Sequence, residues 1–273
     1  MTATTTVSAV PPAPYLGGKR NLARRICALI DATPHRTYVE PFVGMGGIFL
    51  RRPKRAPVEV INDLNGDVAN LFRVIRRHYE PFVEEMAWLL ASRDEFERQR
   101  AIDPRLLTDI ERAVRFLYLQ RLAFGGRTHK PTFGVSRGNS SRFNLGVMRA
   151  NLKAIRDRLE PVIIEKLDYA QVLRRYDGPG TLFYLDPPYD ETTGYGLDFG
   201  RPQFEAMAEQ LGDIAGQFIM SINDTPFIRA TFARFQIDEV DTTWTISSAA
   251  AHQSKRVTEL IIRSPTERLT SKS

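Results

Sequence analysis

The four residues Asp186-Pro187-Pro188-Tyr189 directly follow residues 181–185, an apolar run of the kind that forms buried strands. Ligands bind at the carboxyl ends of strands in α/β sheets. Because the two prolines fix φ and remove backbone donors, the turn offers carbonyl acceptors, one carboxylate and one aromatic face. Such a turn is suited to binding a planar group that carries an amino donor. The alternative is a rigid strand-exit turn against which the tyrosine packs.

A second candidate site, Gly44-Met45-Gly46-Gly47, follows a strand predicted at 37–41 and begins a segment, 44–52, that is predicted to be a turn entering a helix. Glycine allows a backbone to approach a ligand closely. Asp63 comes about twenty residues later, after a strand predicted at 58–61, where a carboxylate can accept hydrogen bonds from ribose hydroxyls. The glycines alone would also fit a dehydrogenase nucleotide turn or a simple tight turn, and Asp63 could instead cap the next helix.

The elements that must position these residues alternate between helix and strand. A helix capped by Asn21 is predicted through Ile30, and another helix is predicted from about Gly66. Later in the chain, hydrophobic patterning predicts strands at 162–164, 181–185 and 217–221, a helix at 203–211, and closing strands, expected to pair antiparallel, at 235–240, 242–246 and 258–262. We therefore expect an α/β fold whose mostly parallel sheet is covered on both faces.

The pattern between residues 73 and 158 is different, and so is its charge. Amphipathic helices are predicted at 82–100 and 109–124, followed by a stretch rich in glycine and serine, which together indicate an inserted module. Residues 121–158 contain nine Lys or Arg and one acidic residue, a balance of +8, whereas the whole chain carries +6, so the remainder carries −2. This asymmetry favours a polyanionic partner. The alternative is a solvated charged face.

The composition, 42% hydrophobic and 26% charged over 273 residues, is that of an ordinary folded protein, which excludes a wholly disordered chain. Cys27 is the only cysteine and the four histidines are scattered, so we predict neither a disulfide scaffold nor a metal site. No apolar run approaches the roughly 18 residues of a membrane helix, and residues 1–14 lack the features of a secretory signal. We expect a cytoplasmic protein with disordered tails at 1–14 and 265–273.

Three motifs together resemble a known family. Asp186-Pro187-Pro188-Tyr189 resembles the catalytic motif of the Dam-like class of S-adenosylmethionine-dependent adenine-N6 DNA methyltransferases. The segment from Pro41 to Gly47 resembles their cofactor motif, and Tyr15-Leu16-Gly17-Gly18-Lys19 resembles their N-terminal motif. The resemblance extends from about residue 14 to 263, with the motifs in the family's order. It implies a Rossmann-like methyltransferase sheet at 15–72 and 159–264, interrupted by a helical or hairpin target-recognition insert at 73–158.

The resemblance implies roles for individual residues at the cofactor. Asp168 would accept a hydrogen bond from the adenine amino group of S-adenosylmethionine, Tyr169 would pack against that ring, and Lys19 would lie near the methionine moiety. From the residues alone, Asp168 could instead cap a helix and Lys19 could be a surface residue. The full set of expected cofactor-binding residues is Tyr15, Gly18, Lys19, Glu40, Pro41, Phe42, Gly44, Gly46, Gly47, Asp63, Asp168, Tyr169 and Asp186.

The expected catalytic residues are Asp186, Pro187, Pro188 and Tyr189. Asp186 and the Pro187 carbonyl would accept the two amino hydrogens of the target adenine, whose nitrogen lone pair is otherwise delocalised into the ring. Tyr189 would stack on the base, which must be flipped out of double-stranded DNA because its amino group is unreachable inside a duplex.

The basic insert would contact DNA through guanidinium groups, with Phe124, Phe133 and Phe143 wedging or stacking. The expected DNA-binding residues are Arg121, Arg127, Lys130, Arg137, Arg142, Asn144 and Tyr195.

We expect a monomer. The alternatives are an N-methyltransferase acting on RNA or a protein amide, and a non-catalytic DNA-binding relative. Asp at position 186, where amide methylators usually carry Asn, argues against the amide, and the complete motifs argue against loss of catalysis.

Overall fold

The computed structural model describes residues 9–15, 19, 21–123, 131–134, 141–191, 199–245 and 254–265. Within them the strands form one sheet in the order β3-β2-β1-β4-β5-β7-β6. The strands are β1 Thr37–Glu40, β2 Val58–Asn62, β3 Ile163–Glu165, β4 Thr181–Leu185, β5 Gln217–Asn223, β6 Gln236–Thr245 and β7 Ser254–Arg263. The first five strands pair in parallel, and β7 pairs antiparallel with both β5 and β6. The expected Rossmann-like sheet, mostly parallel with an antiparallel closing strand, is confirmed.

The strand order reverses between β1 and β4, which are neighbours in the sheet. Val39 of β1 lies opposite both Val60 of β2 and Phe183 of β4, so the carboxyl ends of these three strands meet at one edge. In open α/β sheets the crevice at such a reversal is where ligands bind. The topology therefore brings the residues that follow β1, β2 and β4 to one place.

Helices cover both faces of the sheet. They are α1 Ala23–Ala32, α2 Gly66–Arg77, α3 Tyr79–Ala87, α4 Arg93–Ala101, α5 Asp109–Leu122, α6 Leu145–Leu159, α7 Tyr169–Tyr176, α8 Arg201–Asp213 and α9 Pro226–Thr231. Alternate residues of a strand point to opposite faces. Tyr38 and Leu182 accordingly pack with α1 to α6, whereas Val39 and Phe183 pack with α7 and α8.

The helices of residues 73–158 share their apolar core with the sheet. Phe82, Phe96, Leu117 and Leu152 are buried in the same cluster as Tyr38 of β1. α2 runs through the expected boundary at residue 73 and ends at Arg77. α5 begins at a capping box in which the Thr108 and Glu111 side chains bond each other's backbone amides.

Several local predictions were wrong. Leu22, not Asn21, is the N-cap of α1, and no side chain caps this helix. The turn expected from Gly44 is present, with positive φ at Gly44 and Gly46, but the helix that it enters is only a short 3-10 helix, Phe49–Arg51. The helix expected at 82–100 is interrupted at Ser92, which caps α4 by accepting from the Glu95 amide.

The two strands expected at 235–240 and 242–246 are one strand, β6. Pairing with β7 continues unbroken through Asp241, which lies opposite Thr258. The boundary between the two strands was predicted from the side-chain pattern alone, whereas backbone hydrogen bonds to the neighbouring strand decide where a strand ends.

Residues 9–14, expected to belong to a disordered tail, are held against α5 and α6. The Val10 amide donates to Asn151 Oδ1, and Asn151 Nδ2 donates to the Val10 carbonyl, each at 2.9 Å. Gln120 Nε2 donates to the Pro14 carbonyl at 2.8 Å, and Arg121 Nη1 donates to the Pro12 carbonyl at 2.6 Å. We call residues 9–15 the N-terminal strap.

A buried ion cluster joins the sheet to α6. Glu59 of β2 accepts from Arg52 at 2.8 Å and from Arg158 Nη2 at 2.8 Å, and all three side chains are buried. Because a buried charge is tolerated only when it is paired, this cluster fixes α6 against β2. None of the helices that the structure describes is long and apolar enough to span a bilayer.

Candidate active site

A cavity of about 710 Å³ opens at the carboxyl edge of β1, β2 and β4. Its size lies within the range of small-molecule sites. Most of the expected site residues line it: Tyr15, Lys19, Glu40, Phe42, Gly44, Gly47, Asp63, Asp186, Pro187 and Pro188. The sequence did not indicate that the strap also lines it, through Val10, Pro11, Ala13 and Pro14. Two regions far apart in the chain thus enclose the same space.

The glycine-rich turn owes its shape to positive φ angles, +49° at Gly44 and +74° at Gly46. Glycine adopts this conformation without the steric penalty that a Cβ brings. A Cβ at Gly44 would lie 3.1 Å from the Tyr15 ring, and one at Gly46 would lie 2.8 Å from Leu50. At these two glycines the close neighbours are the protein's own side chains, and both Gly44 and Gly47 line the cavity.

Asp63 fixes this turn. Its Oδ2 accepts from the Gly44 amide and its Oδ1 accepts from the Asn65 amide, both at 2.9 Å. Asn65, not Asp63, caps α2. Burial raises the pKa of Asp63 to about 6. Each carboxylate oxygen retains acceptor capacity toward the cavity, because such an oxygen can accept more than one hydrogen bond.

Asn62, which the sequence analysis did not single out, ties three strand ends together. Its Nδ2 donates to the Pro41 carbonyl at 2.8 Å and to the Leu167 carbonyl at 3.0 Å, while its Oδ1 accepts from the Leu167 amide at 2.7 Å. The loops after β1 and β3 are therefore fixed to the end of β2. A buried Asn at the end of an apolar strand was the available signal.

Asp168, which is exposed, and Tyr169, which is buried, are not among the residues that line the cavity. Asp168 caps α7 by accepting from the Ala170 amide at 2.9 Å, which was the alternative interpretation. The Tyr169 ring stacks on Phe42, with ring centroids 5.6 Å apart, and its hydroxyl donates to the Gln203 carbonyl. Since Phe42 lines the cavity, Tyr169 supports that wall from behind.

Asp186 begins the turn after β4 and lines the cavity. Its Oδ1 accepts from Lys19 Nζ at 3.0 Å and from Ser221 Oγ at 3.3 Å. The Tyr184 hydroxyl in turn lies 2.7 Å from Ser221 Oγ. Burial raises the pKa of Asp186 to about 6, although Lys19 opposes this shift. Oδ1 is thus held by the protein, and neither of these contacts uses Oδ2.

Lys19 is buried, with 3% of its surface exposed, so the alternative in which it is a surface residue is wrong. Its ammonium group contacts Asp186, the Tyr189 hydroxyl and, at 3.3 Å, Glu259 Oε2. Ser221 and Glu259 were both missed at the sequence level. The available signal for Glu259 was a charged residue directly before an apolar run, 260–262, in a predicted strand.

Tyr189 is 4% exposed and packs among apolar residues on the α7 and α8 side of the sheet. Its hydroxyl accepts from Lys19. In this arrangement the ring offers no open face to a ligand, and Tyr189 instead helps to hold the ammonium group of Lys19. Base stacking by Tyr189 stays a prediction that requires the ring to move.

Glu40, at the end of β1, lines the cavity and is 2% exposed. The Tyr38 hydroxyl donates to its Oε2 at 2.7 Å. Burial raises the pKa of Glu40 to about 8, and Asp186 adds to that shift by repulsion. The described part of the chain contains no group of three or more His, Cys, Asp or Glu residues that could hold a metal.

The expected DNA-binding residues separate into three groups. Arg142 is exposed, and Asn144 caps α6 by accepting from the Val147 amide. Arg121 is used within the protein, since its guanidinium donates to the Pro12 and Arg142 carbonyls. Outside the described residues lie Gly18, expected at the cofactor, and Phe124, Arg127, Lys130, Arg137 and Tyr195.

Two aromatic residues expected to wedge into DNA are part of the core. Phe143 is buried edge-on against Tyr118, with ring centroids 4.9 Å apart, and Phe133 packs edge-on against Phe96 at 5.4 Å. An aromatic among basic residues does not by itself indicate a ligand contact, because a helical module also needs apolar anchors for its loops.

The fold and the site together define a class: an α/β enzyme with a glycine turn, a paired acidic residue after β2 and an Asp-Pro-Pro-Tyr turn after β4, all at one edge of the sheet. A family model described as D12 class N6 adenine-specific DNA methyltransferase matches residues 15–246. The chain belongs to this family.

Individual relatives agree with that assignment. The chain is 26% identical to the type II methyltransferase M1.LlaDCHI of Lactococcus lactis subsp. cremoris, over 91% of this chain and 93% of the relative. It is also 26% identical to a DNA adenine methylase of Haemophilus influenzae, over 90% and 91%. Among solved structures, precorrin 8w decarboxylase of Methanobacterium thermoautotrophicum has a TM-score of 0.43 at 10% identity, over 97% of this chain and 100% of that one. That similarity is too low to carry an argument.

Proposed function

We propose that this protein transfers a methyl group from S-adenosylmethionine to the N6 amino group of an adenine flipped out of double-stranded DNA. One observation carries the proposal: Asp186, Pro187 and Pro188 line the same cavity as the glycine turn and Asp63. An acceptor for the amino group of a base and a binding place for a nucleoside cofactor therefore share one space. Membership in the D12 class supplies the substrate class.

The residues present fit S-adenosylmethionine. A cavity of about 710 Å³ can hold a ligand of nucleoside size, Phe42 offers an aromatic wall, and Asp63 and Glu40 offer acceptors for hydroxyl and amino donors. Gly47 lines the cavity, and a Cβ added there would be in ordinary contact with the Lys19 amide, 3.9 Å away. We propose that Tyr169 acts by holding Phe42, and that Asp168 acts by capping α7, the helix that begins at Tyr169.

The chain's residues would promote the reaction mainly by placing hydrogen-bond acceptors. Asp186 and the Pro187 carbonyl accept the two hydrogens of the adenine amino group, which draws the nitrogen lone pair out of conjugation. S-adenosylmethionine, when bound, supplies a methyl group whose S–C bond breaks as the N6 nitrogen forms the new N–C bond. Asp186 accepts the proton that N6 must lose. A pKa near 6 makes it a better proton acceptor at neutral pH than an ordinary aspartate.

We propose that residues 73–158 form the recognition insert of a catalytic domain at 15–72 and 159–264. Its exposed Arg142 and Arg149 are available to phosphates and bases. Flipping the adenine follows from the depth of the acceptors, since Asp186 lies in the cavity and a base within a duplex cannot reach it. Phe133 and Phe143 are left out of this proposal because both pack in the core.

The test is methyl transfer from labelled S-adenosylmethionine to unmethylated double-stranded DNA, followed by digestion with nucleases sensitive to N6-methyladenine. The wild-type protein should label DNA, and Asp186→Ala should lower kcat by roughly 10² to 10⁴. Asp213→Ala, which removes an exposed carboxylate from α8, is the matched control and should leave kcat unchanged.

RNA and a protein extract are offered as competing acceptors in the same assay. Labelling of RNA or protein but not of DNA would replace the proposed substrate, and labelling of none would leave a DNA-binding protein without this activity. Equal rates for the wild type and Asp186→Ala would refute the assigned role of Asp186. Calorimetry of cofactor binding to the Ala variant separates lost chemistry from a lost site.

A further inference from the structure

A second buried carboxylate, Glu259, contacts the lysine that holds Asp186. Glu259 lies on β7, is 3% exposed, and its Oε2 is 3.3 Å from Lys19 Nζ. β7 pairs with β5 so that Glu259 lies opposite Asn223, two residues beyond Ser221, which itself donates to Asp186. β5 and β7 therefore each contribute one side chain, Ser221 and Glu259, to the groups around Asp186 and Lys19.

The cluster places one ammonium group between two carboxylates. Lys19 Nζ is 3.0 Å from Asp186 and 3.3 Å from Glu259, and with both acids ionised the three groups carry a net charge of −1. A buried charge is unfavourable unless it is paired, and a lysine that is shared with Glu259 neutralises Asp186 less than a lysine that contacts Asp186 alone. Glu259 does not line the cavity, so it influences a bound ligand through Lys19 and Asp186 and not by direct contact.

We propose that Glu259 is a positioning residue for methyl transfer. It shares Lys19 with Asp186, which keeps the ammonium group beside Asp186 Oδ1 and prevents it from neutralising Asp186 completely. Asp186 then remains a strong acceptor for the amino group of the target base. This inference rests on the proposed function.

The charges around Asp186 predict the direction in which its pKa should move when Glu259 is changed. The groups that face Asp186 are Lys19 before α1, Glu40 of β1, Tyr184 of β4, Ser221 of β5 and Glu259 of β7. Burial raises the pKa of Asp186 most, Lys19 lowers it, and Glu259 raises it. Since Asp186 must be deprotonated to accept, activity should rise with pH through about 6. Removing the charge of Glu259 should therefore move that rise to lower pH.

The experiment compares wild type with Glu259→Gln and Glu259→Asp in the full chain, by kcat and kcat/KM across pH 4.5 to 9. Glu259→Gln should lower kcat on the order of tenfold to a hundredfold because Lys19 is no longer shared. It should also move the acidic limb of kcat/KM down by roughly one pH unit. Glu259→Asp keeps the charge but shortens the reach, so its kcat should fall while its acidic limb stays near that of the wild type.

Glu239→Gln on β6, where the carboxylate is 60% exposed and paired with Arg229, is the matched control and should change neither quantity. Loss of kcat in Glu259→Gln with an unmoved acidic limb would mean that Glu259 is merely structural, and would overturn the proposal. So would wild-type kcat in that variant.

A second measurement does not depend on turnover. A carboxyl-carbon NMR titration of Asp186 in the wild type and in Glu259→Gln should show a lower pKa in the variant. If the pKa is lower but the wild type methylates no DNA, the proposed function fails and the coupling of Glu259 to Asp186 stands. If the pKa of Asp186 is unchanged, the coupling fails whatever the activity. Where Glu259→Gln does not fold, the titration of the wild type still tests the proposal, because a pKa of Asp186 at or below its ordinary value of 3.8 would mean that Lys19 neutralises Asp186 completely.

Discussion

The carboxyl edge of the sheet and the basic segment 121–158 hold their charges in opposite ways. At the edge, Glu40 and Glu259 are buried and only 24% of the Asp186 side chain is exposed, and burial raises the pKa of Glu40 to about 8 and that of Asp186 to about 6. In the basic segment, Arg142 and Arg149 are exposed. Salt and water screen buried charges only weakly. Exposed charges are screened beyond about 10 Å and exchange partners freely.

The difference agrees with the role that we propose for each region. A site that must accept two hydrogens of one amino group needs fixed acceptors in a low dielectric, and tolerates the unfavourable free energy of burying them. A surface that binds a phosphate backbone needs mobile charges that displace counterions. The basic segment contributes less to that surface than its sequence suggests, because Arg121 binds backbone carbonyls and Arg158 pairs with Glu59 in the core.

The largest expected effect tests how rigidly the acidic edge is built. Gly46→Ala places a Cβ at a φ of +74° and 2.8 Å from Leu50, so the free energy of unfolding should fall by about 2 to 4 kcal/mol. Gly47→Ala meets only an ordinary contact and serves as the control in the same denaturant titration. Equal stability of the two variants would show that the turn is not constrained by these contacts.

The buried acid also predicts a pH dependence of stability. The folded pKa of Glu40 is about 8, against an ordinary value of 4.5. The contribution of its neutral form to stability is therefore fully present below about pH 4.5 and is lost as pH rises through 8. The ligand-free wild type should lose roughly 2 to 3 kcal/mol more than Glu40→Gln between pH 6 and 9. Unfolding curves at both pH values measure this difference, and parallel losses in the two proteins would contradict the buried-acid description.

DNA binding tests the exposed arginines of the basic segment 121–158. Arg142→Ala should weaken DNA binding several-fold and reduce the slope of log affinity against log salt by about 0.9, the value for one lost phosphate contact, while cofactor affinity stays unchanged. Arg174→Ala, an exposed arginine on α7 on the other face of the sheet, is the charge-matched control. If both variants lose the same affinity, DNA responds to net charge and not to this face.

The smallest effect concerns the strap that joins the two regions. Asn151 of α6 makes two hydrogen bonds to Val10, which lines the cavity. Asn151→Ala should lower cofactor affinity about two- to tenfold, since each such bond contributes about 0.5 to 1.5 kcal/mol. Calorimetry of cofactor binding measures it, with Lys153→Ala on the exposed side of the same helix as the control. Unchanged affinity would mean that the strap does not help to form the site.

The sheet and its chemistry-bearing turns were predictable because their signals are local. Asp186 follows its apolar strand directly, and Asp63 and Gly44 follow theirs, so knowing the strands was enough to place these residues at one edge. Prediction failed where the same local pattern is compatible with two different tertiary environments. Phe143 looked the same whether it faced DNA or Tyr118, and Arg121 looked the same whether it bound phosphate or the Pro12 carbonyl.

By itself, the sequence determined the parallel sheet, the glycine turn and the acidic residue that ends β4, since strand periodicity and turn chemistry are properties of neighbouring residues. Only the tertiary structure decided that Glu259 shares Lys19 with Asp186, that the N-terminal strap lines the cavity, and that Arg158 belongs to the core. The physical reason is that each of these depends on a pairing between residues about a hundred or more positions apart. Nothing in a local pattern specifies which distant side chain will neutralise a buried charge.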